Sequence, residues 1–453
     1  MKIPGSNRLF FYLLFNFFCF SLLIFLLHFY RNPFPYSDEW NFISKAIGAE
    51  PFAWDWVWAQ HSDHRIPIQK IFQITLLRLT GYDFGFLILA NVILVFLTAN
   101  LLIYTVRVYR GNSQVGDLII PLIIMNPGFG PFIWSFHFQF MLSTLLSLLF
   151  LVFFMQNNMR LRDKSYILGA ICVLLMALCG MNGVVLSVIM SVLFLPYIIL
   201  ARLINNKFTL YVIVIVLMLA LIISLIIISG WSPTGASFLS GSDFLSKVYD
   251  AIKIYYYLIN PCPVIMPMRQ IFFIFNGVLY VIALVFLAKR IWGFYQVRRF
   301  LFINDFVIVV TFMAVFGVQL SIAIGRAEYW SSGLEAHYGY LAIVLPIVSW
   351  IVVSVVCQPK KIGVMIGSTL IFLYGYIYIE NVEWRIAFAK ENRQKVISIR
   401  KDILNGMKIG DFVGKYNNFF YYVDNSDTRQ IVKNGLIGLK HAKVEPYAHL
   451  QLD

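Results

Sequence analysis

The residues best suited to chemistry lie between 36 and 67. Tyr36-Ser37-Asp38-Glu39-Trp40 carries two adjacent carboxylates, and His61-Ser62-Asp63-His64-Arg65-Ile66-Pro67 follows a Trp54-Asp55-Trp56-Val57-Trp58 run. A carboxylate a few residues beyond an apolar stretch is placed to take a proton from a hydroxyl nucleophile, the general-base role. Arg65 offers a planar fork that matches phosphate oxygens, and His61 and His64 can donate hydrogen bonds to the same atoms. Each feature also has a plainer reading. The acidic pair serves as solvated residues beside a membrane, and the tryptophans as an interfacial belt. His61, Asp63 and His64 serve as ligands of a metal, although the spacing is not that of a structural zinc site. It is the combination that favours chemistry.

These residues are set in a chain that cannot be water-soluble. Of 453 residues 60% are hydrophobic and 13% charged, about half the charge a water-facing surface requires. Apolar runs long enough to cross a bilayer fall at about 9–29, 84–106, 114–130, 137–155, 166–181, 184–201, 208–229, 271–288, 306–324, 340–357 and 362–379. The predicted architecture is an all-α polytopic membrane protein of about eleven spans. The first run reads as a span, not a cleaved signal peptide, because no small-residue cleavage site follows it. The third and fifth runs are short or interrupted by Gly and Pro.

With the N-terminus inside, fifteen Lys and Arg fall in inside segments, against nine in outside segments before residue 381. The positive-inside rule favours that orientation and explains the net charge of +14 without nucleic acid. The domain reading is a transmembrane unit, 1–380, with outer loops 30–83, 230–270 and 325–339, followed by a polar tail, 381–453. Eleven spans place the tail outside; one miscounted span would place it inside. Glu383–Ile403 reads as an amphipathic helix and Tyr416–Val423 as strand-like, so the tail is expected to be a small α/β-like unit. Cys19, Cys172, Cys179 and Cys357 lie in apolar spans and Cys262 in an outside loop, so no disulfide framework is predicted.

Ionisable residues are nearly absent from the spans away from their ends, whereas a transporter usually places them there. They gather in the outer loops instead. Trp134, His137 and Gln139 stand where the fourth span begins, an aromatic beside imidazole and amide groups that suits sugar binding and suits helix anchoring equally. Asn182-Gly183 reads as a tight outside turn, and Arg269 as a headgroup anchor. Arg326 and Glu328 follow the ninth span, and Glu335, His337 and Tyr338 precede the tenth.

Three patterns resemble the GT-C class of membrane glycosyltransferases, and more closely a large group of bacterial GT-C-like proteins. They are Asp38-Glu39-Trp40 followed by His61-Ser62-Asp63-His64-Arg65-Ile66-Pro67, Asn126-Pro127 with Trp134-Ser135-Phe136-His137-Phe138-Gln139, and Gly325-Arg326 with Tyr338. The resemblance runs through the first ten spans and is strong only at these motifs. It implies an inverting hexosyltransferase that takes a sugar from a polyprenyl-phosphate donor. Asp38 would be the catalytic base, with Glu39 its neighbour or alternative. His64 and Arg65, with Arg326 and His61, would hold the donor phosphate. Trp134, His137, Gln139, Asp63, His337 and Tyr338 would line the sugar and acceptor site. Asp63 stands where the group often has Glu, and His337-Tyr338 where Arg-Tyr is common. Some members use a divalent metal, Mg or Mn; no other cofactor is implied, and no Gly-rich nucleotide loop is present.

The implied partners are the lipid-linked sugar, a lipid-linked glycan acceptor such as O-antigen or lipopolysaccharide, membrane lipids, and a separate donor synthase and flippase. The implied location is the bacterial cytoplasmic membrane, with the site on the periplasmic face, and serotype conversion by glucose addition is the expected role. An O-antigen polymerase and a lipid-linked oligosaccharide flippase are the competing readings.

Overall fold

A computed structural model describes residues 6–30, 32–155, 162–201, 204, 206–232, 244–260, 269–296, 303–327, 336–356 and 360–453. Cys262, Cys357, Glu328, Glu335 and the loop segments 233–243, 261–268 and 328–335 lie outside the described residues. The described residues form helices and short turns, with no strand. They run α1 Ser6–Tyr30, α2 Ile43–Ala46, α3 Trp54–Trp58, α4 Pro67–Leu79, α5 Phe84–Arg110, α6 Ile119–Ile124, α7 Phe138–Phe154, α8 Arg162–Met176 and α9 Met181–Ala201. There follow α10 Lys207–Ser229, α11 Phe244–Leu258, α12 Arg269–Gln296, α13 Ile303–Gly325, α14 Ala336–Leu341, α15 Val344–Val356, α16 Lys360–Leu404, α17 Ile409–Phe420 and α18 Ser426–His441.

Among the described residues nine helical stretches are long and apolar enough to cross a membrane, not eleven. The run 114–130 folds as a 3-10 turn, Val115–Leu118, the short α6, and an irregular path through Asn126-Pro127. Its Pro and Gly residues cannot sustain a helix. The broken backbone is tolerated because the protein itself buries it, as at Ile119, Ile124, Phe129 and Phe132. Of the run 166–181, residues 166–176 lie in the fifteen-residue α8, and Gly180 at φ +85° follows. The tenth run is split between α14 and α15.

Gly183 is not the turn residue. It lies in the first turn of α9, and a Cβ there would come within 2.0 Å of the Met176 carbonyl oxygen. Its role is close helix approach; the left-handed turn belongs to Gly180. Gly183→Ala is expected to destabilise the protein by about 1–3 kcal/mol through overpacking, read as a fall in Tm in detergent. An unchanged Tm would contradict this packing.

The bundle has two chemically distinct ends. At one, Arg110 meets Asp117 at 2.5 Å and Arg290 meets Asp305 at 2.9 Å. At the other, the segment 32–83 and the tail share one hydrophobic core, including Phe34, Trp40, Phe42, Ile74, Phe412, Phe420, Leu436 and Tyr447. The tail therefore stands on the same side as the first long loop. The amphipathic helix expected at Glu383–Ile403 is the continuation of the last span: α16 is 45 residues, about 67 Å, long. The strand expected at Tyr416–Val423 is absent. Tyr416 to Phe420 complete α17, whose Phe412, Val413, Tyr416 and Phe420 form a buried helical stripe. The aromatic-rich segment reads as strand-like by composition, and a helix-spaced core contact decides otherwise. Asn425 then starts α18 with a capping box: its Oδ1 accepts from Thr428 N at 2.9 Å, and Asn425 N donates to Thr428 Oγ1 at 3.1 Å.

Candidate functional site

Three segments, 36–39, 61–65 and 134–139, converge at the tail-bearing end of the bundle with Arg326, His337 and Tyr338. The first is a 3-10 turn, Ser37–Phe42, and it separates its two carboxylates sharply. Glu39 is 3% exposed, accepts from Tyr36 N at 2.9 Å and takes a very short hydrogen bond from the Ser135 hydroxyl. Asp38 keeps a side chain 26% exposed and lies 3.6 Å from His61 Nε2. Of the adjacent pair, Asp38 is the one a substrate can reach, and Glu39 ties the turn to the segment before α7.

Burial pushes the Glu39 carboxyl up to about 8, further raised by the Asp38 charge, and the hydrogen bonds from Ser135, Tyr36 and Phe136 only partly offset it. The neutral carboxyl is thus the native form near pH 7. The sign follows from linkage. With its folded value above the ordinary 4.5, the stability this group contributes is full below about 4.5 and drains as pH rises through about 8. Glu39→Gln, which mimics the neutral acid, is expected to remove that part of the pH slope. Thermal unfolding followed by tryptophan fluorescence from pH 5 to 9 checks it, and parallel slopes in the two proteins would contradict it.

The second segment is a tight turn. His61 N donates to His64 O at 2.7 Å and His64 N to His61 O at 2.9 Å, with Ser62 at φ +48° between them. It is clamped to the end of α10: Trp231 Nε1 donates to Asp63 O at 3.0 Å, and Gln60 Nε2 donates to Ser232 O at 2.6 Å. Arg65 belongs to the same clamp, its guanidinium donating to the Gly230 carbonyl. Arg326 instead faces the cluster. It donates through Nε to Tyr338 Oη at 3.1 Å and through a terminal nitrogen to Asp63 Oδ2 at 3.4 Å. Burial lowers the His64 imidazole to about 4, against which the charges of Asp63 and Asp38 pull upward. His64 is therefore neutral near pH 7 and acts as a hydrogen-bonding group, not a cation.

The remaining predicted residues form an aromatic wall. His137 stacks on His337 at 4.3 Å between ring centres, and Trp134 meets His137 edge-on at 4.6 Å. Gly130 permits this, since a Cβ there would lie 2.4 Å from His137 Nδ1. Neither ring nitrogen of the buried His137 has a hydrogen-bond partner among the described residues. Gln139 is set deeper. Its backbone N–H donates to Gln69 Oε1 at 3.1 Å, and its carboxamide lies beside Gly180 and Asn182 without a partner among the described residues.

Sequence reasoning missed several contributors. Ser135 holds Glu39, and Tyr36 packs edge-on against Trp134 at 5.3 Å. Lys70 is buried and donates to the carbonyls of Trp56 and Ala59, both at 2.7 Å, so it pins the α3 region; burial lowers it to about 8. Tyr421 comes from the tail, and burial together with the Asp38 charge pushes its hydroxyl up to about 12. Tyr36 and Ser135 stand inside the motifs already quoted, Lys70 is a cation within the apolar repeat of α4, and Tyr421 carries no signal in the chain itself.

Among the described residues no three His, Cys, Asp or Glu side chains gather closely enough to hold a metal ion. Asp38 pairs with His61, and Asp63 faces Arg326. No family model matches the chain, and neither a curated protein nor a solved structure is significantly similar to it.

Proposed function

We propose that this chain is an inverting membrane glycosyltransferase. It moves a hexose such as glucose from a polyprenyl phosphate to a hydroxyl of a lipid-linked surface glycan, at the outer face of a bacterial cytoplasmic membrane. The observation that carries the reading is the pairing, at one end of an apolar helix bundle, of a reachable carboxylate, Asp38 beside His61, with a cationic and hydrogen-bonding wall of Arg326, His64, His137 and His337. In one displacement the acceptor oxygen bonds to the anomeric carbon, and the bond from that carbon to the phosphate oxygen breaks with its electron pair. Asp38 takes the hydroxyl proton. Arg326 stabilises the charge gained by the departing phosphate, the electrostatic contribution that usually dominates. Arg65, committed to Gly230, positions the loop.

Deleting the gene and weighing the surface glycan by mass spectrometry tests this. Loss of one hexose per repeat is expected. Loss of chain length would replace the reading with that of a polymerase, and an unchanged glycan would overturn it.

A further inference from the structure

Helix α11, which lies between α10 and α12, is apolar on two faces. Ala251, Ile254 and Leu258 are buried, and the helix packs against α13 and α14. Leu245, Tyr249, Ile252 and Tyr256 recur at helical spacing on the other side and are 81%, 59%, 63% and 48% exposed. Val248 and Tyr255 bridge the two faces, so the apolar surface is continuous round about half of the helix. Ser246, Asp250 and Lys253 form the polar side, Lys247 extends it to the edge of the buried face, and the Lys253 ammonium lies 4.7 Å over the Tyr249 ring.

The position of the helix is defined by its C-terminal end. Tyr256 and Tyr257 meet Phe273 of α12 at 5.3 and 5.5 Å, and Tyr280 Oη donates to Ile259 O at 3.0 Å. α11 is thus held beside the first turns of α12, whose Ile271 and Ile274 are 53% and 65% exposed, and against α13, which leads to Arg326. In a bilayer, exposed apolar span surfaces of this kind face lipid tails.

We propose that α11 is an interfacial helix seated in the lipid leaflet on the site side. Its exposed stripe enters the boundary between headgroups and acyl chains, and its polar side faces water. A helix with a broad apolar arc, a polar side that carries two lysines, and aromatic residues at the edge fits that depth. The surface continues the lipid-covered faces of α12 and α13, so one occupant, the bilayer, serves all three. The inference is independent of the transferase reading.

The test uses the full chain carrying Cys262→Ser and Cys357→Ser, with the buried Cys19, Cys172 and Cys179 retained. Nitroxide labels are placed at Ile252→Cys or Tyr249→Cys on the stripe and at Asp250→Cys on the polar side. Bilayers contain phosphatidylethanolamine and phosphatidylglycerol. The ratio of oxygen to nickel-chelate collisions is expected to be several-fold higher at both stripe positions than at 250. Equal ratios with high nickel access would put the stripe in water and overturn the proposal. Low access to both reagents at 249 and 252 would mean that protein covers the stripe, and would overturn it as well.

Discussion

Asp38→Asn is expected to lower transfer about 10²–10⁴-fold, the usual contribution of a positioned general base. The change is isosteric, and the side chain it alters is 26% exposed with His61 as its near neighbour, so the fold should survive. The loss should fall on kcat with little change in KM, because a base acts in the transition state and contributes little to ground-state binding. Purified protein in proteoliposomes with polyprenyl-phosphate glucose and a lipid-linked acceptor provides the measurement. Glu39→Gln is the matched control. Its carboxyl is already neutral near pH 7 and occupied by Tyr36 and Ser135, so it should retain most activity there. Wild-type turnover in Asp38→Asn would sink the assignment, and a larger loss in Glu39→Gln would transfer the base role to Glu39.

The second large effect is on stability, at the opposite end of the bundle. Arg110 and Asp117 side chains are 4% and 2% exposed and 2.5 Å apart. Asp117 also accepts from Trp350 Nε1 at 2.9 Å and from Gln114 N at 2.8 Å, and Arg110 donates to Ser354 Oγ at 2.7 Å. This network joins the end of α5, the broken third run and α15. Asp117→Asn keeps the shape but strands a buried guanidinium without its counter-charge, a loss of about 3–5 kcal/mol. A large fall in Tm in detergent is expected. The double variant Asp117→Asn with Arg110→Gln should recover part of it, because the stranded charge is then gone. No recovery would place the loss in the Trp350 and Gln114 hydrogen bonds instead.

Hydropathy made the class legible. A long apolar run commits to the membrane through its own residues, whatever it packs against. The same locality explains where the reading failed. The run 114–130 is apolar enough for a span, yet Asn126-Pro127-Gly128 stops its helix, and only the packing of neighbouring helices makes such a path tolerable. Tyr416–Val423 reads as strand-like, yet its partners in the first loop gave it a helical stripe to bury.

The site divides along the same line. Residue types and spacing singled out Asp38, His61, Asp63 and His64 in the first outer loop, and His137, His337 and Arg326 at span ends, and that much belongs to the chain alone. Asp38 and Glu39 are adjacent and chemically alike, so nothing in their order says which is buried. The 3-10 turn and the Ser135 hydroxyl, 96 residues away, decide it. Arg65 and Arg326 likewise look interchangeable until one is seen to hold the Gly230 carbonyl and the other to face Asp63 and Tyr338. Partition into a bilayer depends on each segment's own composition. Burial, pairing and protonation depend on which distant segments the fold brings against it, and only the tertiary structure supplies those.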